Sequence, residues 1–149
     1  MQITSFTDYA LRVLIYLAMS PDRHATITEI ADFYNISRNH LVKVVHQLGG
    51  KGFINTTRGK GGGFSLQRPP ELIRIGEVVR SMENHFNWVE CFDPVQQRCR
   101  LLPNCGLKHL LARAGDTYLQ VLDAATLADV LSGTVAVVML QKEISDNLK

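Results

Sequence analysis

The sequence has no cysteine before residue 91, no acidic residue between Phe33 and Pro70, and no apolar run near the length of a membrane span. Crossing a bilayer takes roughly 18 or more consecutive apolar residues, so no spanning helix is expected. The opening Met1-Gln-Ile-Thr-Ser lacks a charged segment followed by an apolar one, so a cytoplasmic protein without a targeting peptide is expected. Three cysteines in all leave one thiol over from any disulfide pairing, which argues for a reducing compartment. A GxxxxGKS or GxxxxGKT phosphate loop is missing as well. Neither paired carboxylates nor a nucleophile with its base can be placed in one cleft, so an enzyme is not expected.

The scarcity of acid is the informative absence. The 149 residues suffice for one ordinary domain or for a small domain with an appended element, and the second is expected. Residues 1–70 carry eight Lys/Arg against four Asp/Glu, whereas residues 71–149 carry eight against ten. Arg38, Lys43, Lys51, Arg58, Lys60 and Arg68 occupy the acid-free stretch. Soluble faces normally mix both signs, so a block of one sign is the footprint of a polyanion and points to nucleic acid.

Thr4 and Ser5 can cap a helix from about Phe6 to Met19, stopped by Ser20-Pro21-Asp22. Its Ala10, Leu11, Val13, Leu14, Ile15, Leu17 and Ala18 are apolar almost all round, which predicts a central buried helix. Asp8 and Arg12 lie four apart and can pair on one face. Such a surface pair contributes little to stability, which leaves Asp8, at the helix start, available for another task. Thr26 and Glu29 form a capping box ahead of Ile27, Ile30, Ala31 and Tyr34, an amphipathic pattern. Asn35-Ile36 breaks the chain, Ser37 caps the next helix, and Gly49-Gly50 is expected to end it. Leu41, Val44, Val45 and Leu48 make its buried stripe, leaving Arg38, Asn39, His40, Lys43, His46 and Gln47 outside. Two short helices with a basic, polar second member fit a helix-turn-helix whose recognition helix runs from Ser37 to Leu48, although a plain helical hairpin has the same periodicity. Gly52–Thr57 and Phe64–Gln67 then alternate like short strands around an Arg58–Gly63 tip, where Arg58 and Lys60 supply charge. A winged helix-turn-helix follows, with the wing on phosphates or in the minor groove.

Pro69-Pro70-Glu71 closes this DNA-binding unit, residues 1–70, and residues 71–149 are read as a sensory loop with dimerisation helices. Ile75, Val78, Val79 and Met82 predict one amphipathic helix. A longer helix from about Leu107 to Leu122 carries Leu107, Leu111, Ala114, Tyr118, Val121 and Ala125 at alternating steps of four and three. That spacing fits a coiled-coil seam or packing on the chain's own core, and a homodimer is favoured because such proteins usually read two half-sites. A last short helix is expected over Thr126–Leu131, and the apolar stretch from Gly133 is ambiguous. Between these helices Cys91, Cys99 and Cys105 lie in a polar loop. Thiolates gathered so closely suit a soft metal centre, with inert thiols as the alternative. Three thiols leave a four-ligand site one short, which calls for another ligand type, an open position or a ligand from a second subunit.

Together these residues resemble the Rrf2 family of winged-helix regulators over nearly the whole chain. The likeness rests on Thr7-Asp-Tyr-Ala-Leu-Arg12, Ser37-Arg-Asn-His-Leu-Val-Lys43, Arg58-Gly-Lys-Gly-Gly-Gly-Phe-Ser-Leu66, Ile73-Arg-Ile-Gly-Glu-Val-Val79 and the three cysteines. It implies a mainly α protein with a small β-hairpin, a winged helix-turn-helix domain followed by a cluster-binding loop and a C-terminal dimerisation helix. It also implies a dimeric repressor of double-stranded operator DNA, touching it through Ser37, Arg38, Asn39, His40, Lys43, Arg58 and Lys60. The cofactor implied is an iron–sulfur cluster, 2Fe–2S or 4Fe–4S, on Cys91, Cys99 and Cys105, with Asp8 of the opposite subunit as fourth ligand, held by Arg12. Within the family the chain is most similar to nitric-oxide-sensitive repressors, which implies sensing of that gas. A regulator of iron or cluster supply and a zinc-stabilised interaction module are the alternatives. Two features depart from the family. The interval between Cys91 and Cys99 is longer than usual, and Lys108 stands where some members place a histidine ligand, with His109 one residue further on.

Overall fold

The computed structural model describes residues 3–132 apart from 22, 58, 60, 96 and 97. Arg58, Lys60 and the stretch from Gly133 onward therefore lie outside the described residues.

Helix α1 (Ser5–Ala18) begins where expected, because the Thr4 hydroxyl accepts from the Thr7 N–H while Thr4 itself is extended. Its Ala10, Val13, Leu14 and Leu17 are buried at the centre of the molecule. The capping box opens α2 (Ile27–Tyr34) with both reciprocal bonds present. Asn35 then takes the left-handed conformation, φ 53° and ψ 48°, which asparagine tolerates better than most residues. That single residue turns the chain into α3 (Arg38–Gly50).

Helix α3 ends at Gly50, as the glycine pair predicts, with Lys51 as its C-cap. Gly52 adopts φ 77°, its N–H donates to the Gly49 carbonyl at 3.1 Å, and the Phe53 N–H donates to Leu48 at 3.0 Å. These two bonds make a Schellman closure, with Phe53 and Leu48 as its buried apolar pair. Gly50 has open space where a Cβ would stand. Gly50→Ala is therefore expected to stabilise the protein by about 0.5–1 kcal/mol, since it restricts the unfolded chain and suits the helix. Thermal unfolding followed by circular dichroism measures this, and a lowered midpoint would contradict it.

Strands β1 (Ile54–Thr57) and β2 (Gly63–Leu66) pair antiparallel, with Ile54 opposite Leu66 and Thr57 opposite Gly63. A third segment joins them: Ala25 and Phe64 exchange two N–H···O bonds of 2.9 Å each. A Cβ on Gly63 would stand 2.4 Å from the Ala25 carbonyl oxygen, so only glycine allows this approach.

Helix α4 (Ile75–Met82) buries Ile75, Val78, Val79 and Met82, as its period predicts, and packs against α1. Helix α5 (Gly106–Ala124) packs on α4, and a further helical stretch over residues 127–132 buries Leu127. Thr126 and Asp129 cap that segment through bonds of 2.7 and 2.8 Å from the Thr126 hydroxyl and N–H. One apolar cluster runs from Ala10 to Leu127. Among the described residues no helix is long and apolar enough to cross a membrane.

The expected seam on α5 is divided between two faces. Leu111, Tyr118 and Ala125 are half-buried, whereas Leu107, Leu110, Ala114 and Val121 form the exposed row. The inward face is set by Gly115, where the Trp88 ring lies within 2.5 Å of a would-be Cβ. Both faces are apolar, so spacing alone could not choose between them.

Candidate DNA interface and cysteine loop

The buried stripe of Leu41, Val44, Val45 and Leu48 fixes which face of α3 looks outward. Arg38, Asn39, His40, Val42, Lys43 and His46 are all exposed. Ser37 occupies the N-cap position with extended ψ 127° but makes no capping side-chain bond, so its hydroxyl is not consumed by the helix. Arg38 donates to the Thr28 hydroxyl on α2, which lays the guanidinium along the preceding helix. His40 stacks on Tyr9 of α1, ring centroids 6.2 Å apart. Asn39 and Lys43 have no such tether among the described residues. A face of this composition carries donors for guanine and adenine edges and positive charge for phosphates. Val42 was missed by the sequence reading, because an apolar residue beside Leu41 looks like core. At 49% exposure it offers the apolar contact that thymine methyls take.

The wing tip needs left-handed backbone at Gly59 (φ 103°) and Gly61 (φ 80°), and the Gly62 N–H donates to Gly59 at 2.9 Å. The wing is held at its base by Ala25 and by a 3.2 Å bond between His24 and the Thr57 hydroxyl.

At the head of α1, Arg12 grips Asp8 with two bonds, Nε to Oδ1 at 3.0 Å and Nη2 to Oδ2 at 2.8 Å. The pair is a little under half exposed, and the Arg12 guanidinium sits 5.8 Å from the centre of the Tyr34 ring. Burial pushes the Tyr34 phenol up to about 12, against the opposing pull of Arg12. Tyr34 therefore stays neutral beside the ion pair. Asp8 keeps the exposure that a second role would need.

The segment from α4 to α5 carries the cysteines. Glu83, the C-cap of α4, accepts from the Thr4 N–H at 2.8 Å and the Thr4 hydroxyl at 2.9 Å, clamping the head of α1. Burial alone would raise the Glu83 carboxyl, but bonds from Thr7 and Thr4 and the nearby His85 hold it below the usual range. Cys91 lies in a short 3-10 turn (Glu90–Phe92), Cys99 is exposed, and Cys105 is the N-cap residue of α5. Glu90 accepts from the Arg98 N–H at 3.3 Å and Asp93 accepts from the Val95 N–H at 2.8 Å, which shapes the loop between the first two cysteines. All three thiols are outside disulfides. Their chemistry suits a soft metal, yet among the described residues of a single chain no three His, Cys, Asp or Glu side chains converge to hold one. His109 is exposed on α5.

The Rrf2 family profile, described as an iron-dependent transcriptional regulator, matches residues 3–133. The HTH-type transcriptional regulator NsrR of Bacillus licheniformis is 51% identical over 132 residues, covering 88% of this chain and 92% of that protein. The regulator of the same name from Bacillus subtilis is 49% identical over 143 residues, covering 95% and 98%. Among solved structures, CymR, the global cysteine regulator of B. subtilis, superposes with a TM-score of 0.73 at 28% identity, covering 89% of this chain and 97% of that one. The IscR structure from T. potens gives 0.74 at 21% identity, a likeness of fold alone, covering 90% and 88%.

Proposed function

Since the chain belongs to the Rrf2 family of DNA-binding transcriptional regulators and is not an enzyme, we propose that it is a homodimeric repressor that senses nitric oxide through an iron–sulfur cluster. The observation that carries this reading is the position of the thiols. Every cysteine lies between α4 and α5, on the segment whose first residue, Glu83, clamps the head of α1. Cys91, Cys99 and Cys105 would hold the cluster, and Asp8 of a second copy, oriented by Arg12, would complete it. A cluster there supplies a centre that nitric oxide attacks, with 2Fe–2S and 4Fe–4S both compatible with this donor set. The exposed face of α3 enters the major groove, and Arg58 and Lys60 of the wing lie on the phosphates or in the minor groove. Ties between the loop of one copy and α1 of the other would hold two recognition helices one turn apart, and their loss would let that spacing relax. Iron supply is the second reading of the signal, favoured by the iron-dependent description of the family.

Anaerobically purified protein is expected to contain iron and sulfide, and Cys91→Ser, Cys99→Ser and Cys105→Ser to lack both. Titration of operator DNA with holo, nitrosylated and apo protein should give a coupling of about 1–3 kcal/mol, or 5- to 150-fold in affinity. Zinc without sulfide would remove the cluster, and equal affinities for holo and nitrosylated protein would remove nitric oxide as the signal. Unfolding of the apo form, followed by circular dichroism, would leave the metal a structural role only.

A further inference from the structure

A cleft of about 220 Å³ lies where the head of α1 meets the start of α3, lined by Ser5, Phe6, Tyr9, His40 and Lys43. Its lining is nearly all apolar surface. Every polar side chain among the lining residues, the Ser5 and Tyr9 hydroxyls, the His40 ring and the Lys43 ammonium, can donate a hydrogen, and none is acidic. His40 and Lys43 stand one turn apart on α3 and are exposed, and the half-buried Tyr9 ring stacks on that of His40, centroids 6.2 Å apart at 26°. The Tyr9 hydroxyl reaches solvent and has no hydrogen-bond partner among the described residues. Asp8, the residue before it, is held elsewhere: Arg12 grips it and leans on the Tyr34 ring of α2. That ion pair is neutral as a whole, so Lys43 sets the sign of the cleft. An α-helix in a major groove about 12 Å wide turns its flanks to the two phosphate strands. The cleft lies on one such flank of α3, where a unit of the DNA backbone meets an apolar floor for its sugar and a cation and a hydroxyl for its phosphate.

We propose that this cleft seats one deoxyribose–phosphate unit of the bound DNA, the sugar against the Tyr9 and His40 rings and the phosphate oxygens on the Lys43 ammonium and the Tyr9 hydroxyl. The proposal rests on the assignment of the α3 face to the major groove and extends that interface to α1, through a residue the sequence reading did not place on DNA. Phosphates are alike in every sequence, so Tyr9 adds affinity and register without preference for bases.

The full chain is titrated with a duplex carrying its operator and with a scrambled duplex of equal length, over a series of salt concentrations. Tyr9→Phe keeps the ring on His40 and removes only the hydroxyl, so circular dichroism should be unchanged while affinity falls about fivefold, by the same factor on both duplexes. A hydroxyl displaces no counterion, so the salt dependence of Tyr9→Phe should keep the slope of the parent protein. Lys43→Gln should weaken binding to both duplexes and flatten that slope by about one. Unchanged affinity in Tyr9→Phe, or a loss seen on the operator alone, would overturn the proposal. If Lys43→Gln and Asn39→Ala also bind as tightly as the parent protein, the α3 face itself is misassigned and the proposal falls with it. A silent Tyr9→Phe beside two impaired variants removes only the contact from α1.

Discussion

A chain carrying Leu110→Glu and Val121→Glu is expected to be folded, monomeric, and at least about a hundredfold weaker on its operator than the parent protein. Leu110 and Val121 are 57% and 65% exposed, on the outward row of α5, and Leu107 beside them is 63% exposed. Glutamates there stay hydrated in a single chain and cost the fold little. Between two copies packed through this row they would be buried without partners, at several kcal/mol each. A helix-turn-helix dimer reads two half-sites one turn apart, and a monomer keeps the contacts of one. Each base pair no longer read costs about 1–3 kcal/mol, so losing two already accounts for the hundredfold. Sedimentation and operator titration check the two halves of the expectation. A variant that remains dimeric, or binds DNA undiminished, would place the interface elsewhere.

The second large effect concerns stability. Phe53→Ala is expected to cost about 3–5 kcal/mol, the usual range for emptying a fully buried aromatic site. Phe53 is 1% exposed, closes α3 by bonding Leu48, and carries the Arg68 guanidinium 5.2 Å above its ring. Its carbonyl also accepts from Gln67 at 2.9 Å, so the cavity would open where α3, β1 and the end of the wing meet. Set against a typical stability of about 5–15 kcal/mol, this is roughly a fifth of the fold or more. Leu72→Ala, at a position 62% exposed, is the control and should stay within about 0.5 kcal/mol. Urea unfolding with similar midpoints for both variants would show that the closure matters less than its geometry implies.

The elements legible in the sequence were those written in local period. α1, the capping box of α2, the stripe of α3, the hairpin and the four buried residues of α4 all follow from spacings within one helix or strand. The end of α3 at Gly50 was legible in the glycine pair, whereas the closure by Gly52, which has the positive φ and the bonds that seal the helix, was not. The face of α5 could not be read, because the Trp88–Gly115 contact that orients it joins residues from separate elements. The same holds for the Thr4–Glu83 clamp, whose partners stand 79 positions apart. Of the candidate site, the outward residues of α3 and the Asp8–Arg12 pair were visible from period alone. Neighbours in sequence need not be neighbours in space: one loop contains the three cysteines, yet among the described residues no three His, Cys, Asp or Glu side chains converge.

The bond between Ala25 and Phe64 limits what any signal can change. Because Gly63 admits the Ala25 carbonyl, the wing is stitched to the connection that starts α2, and α2 carries α3 through the single left-handed residue Asn35. Wing, turn and recognition helix therefore share one rigid frame with few internal degrees of freedom. In the dimer proposed above, a signal would act by moving whole heads relative to each other, and the expected response is a changed tolerance for half-site spacing rather than a changed preference for bases.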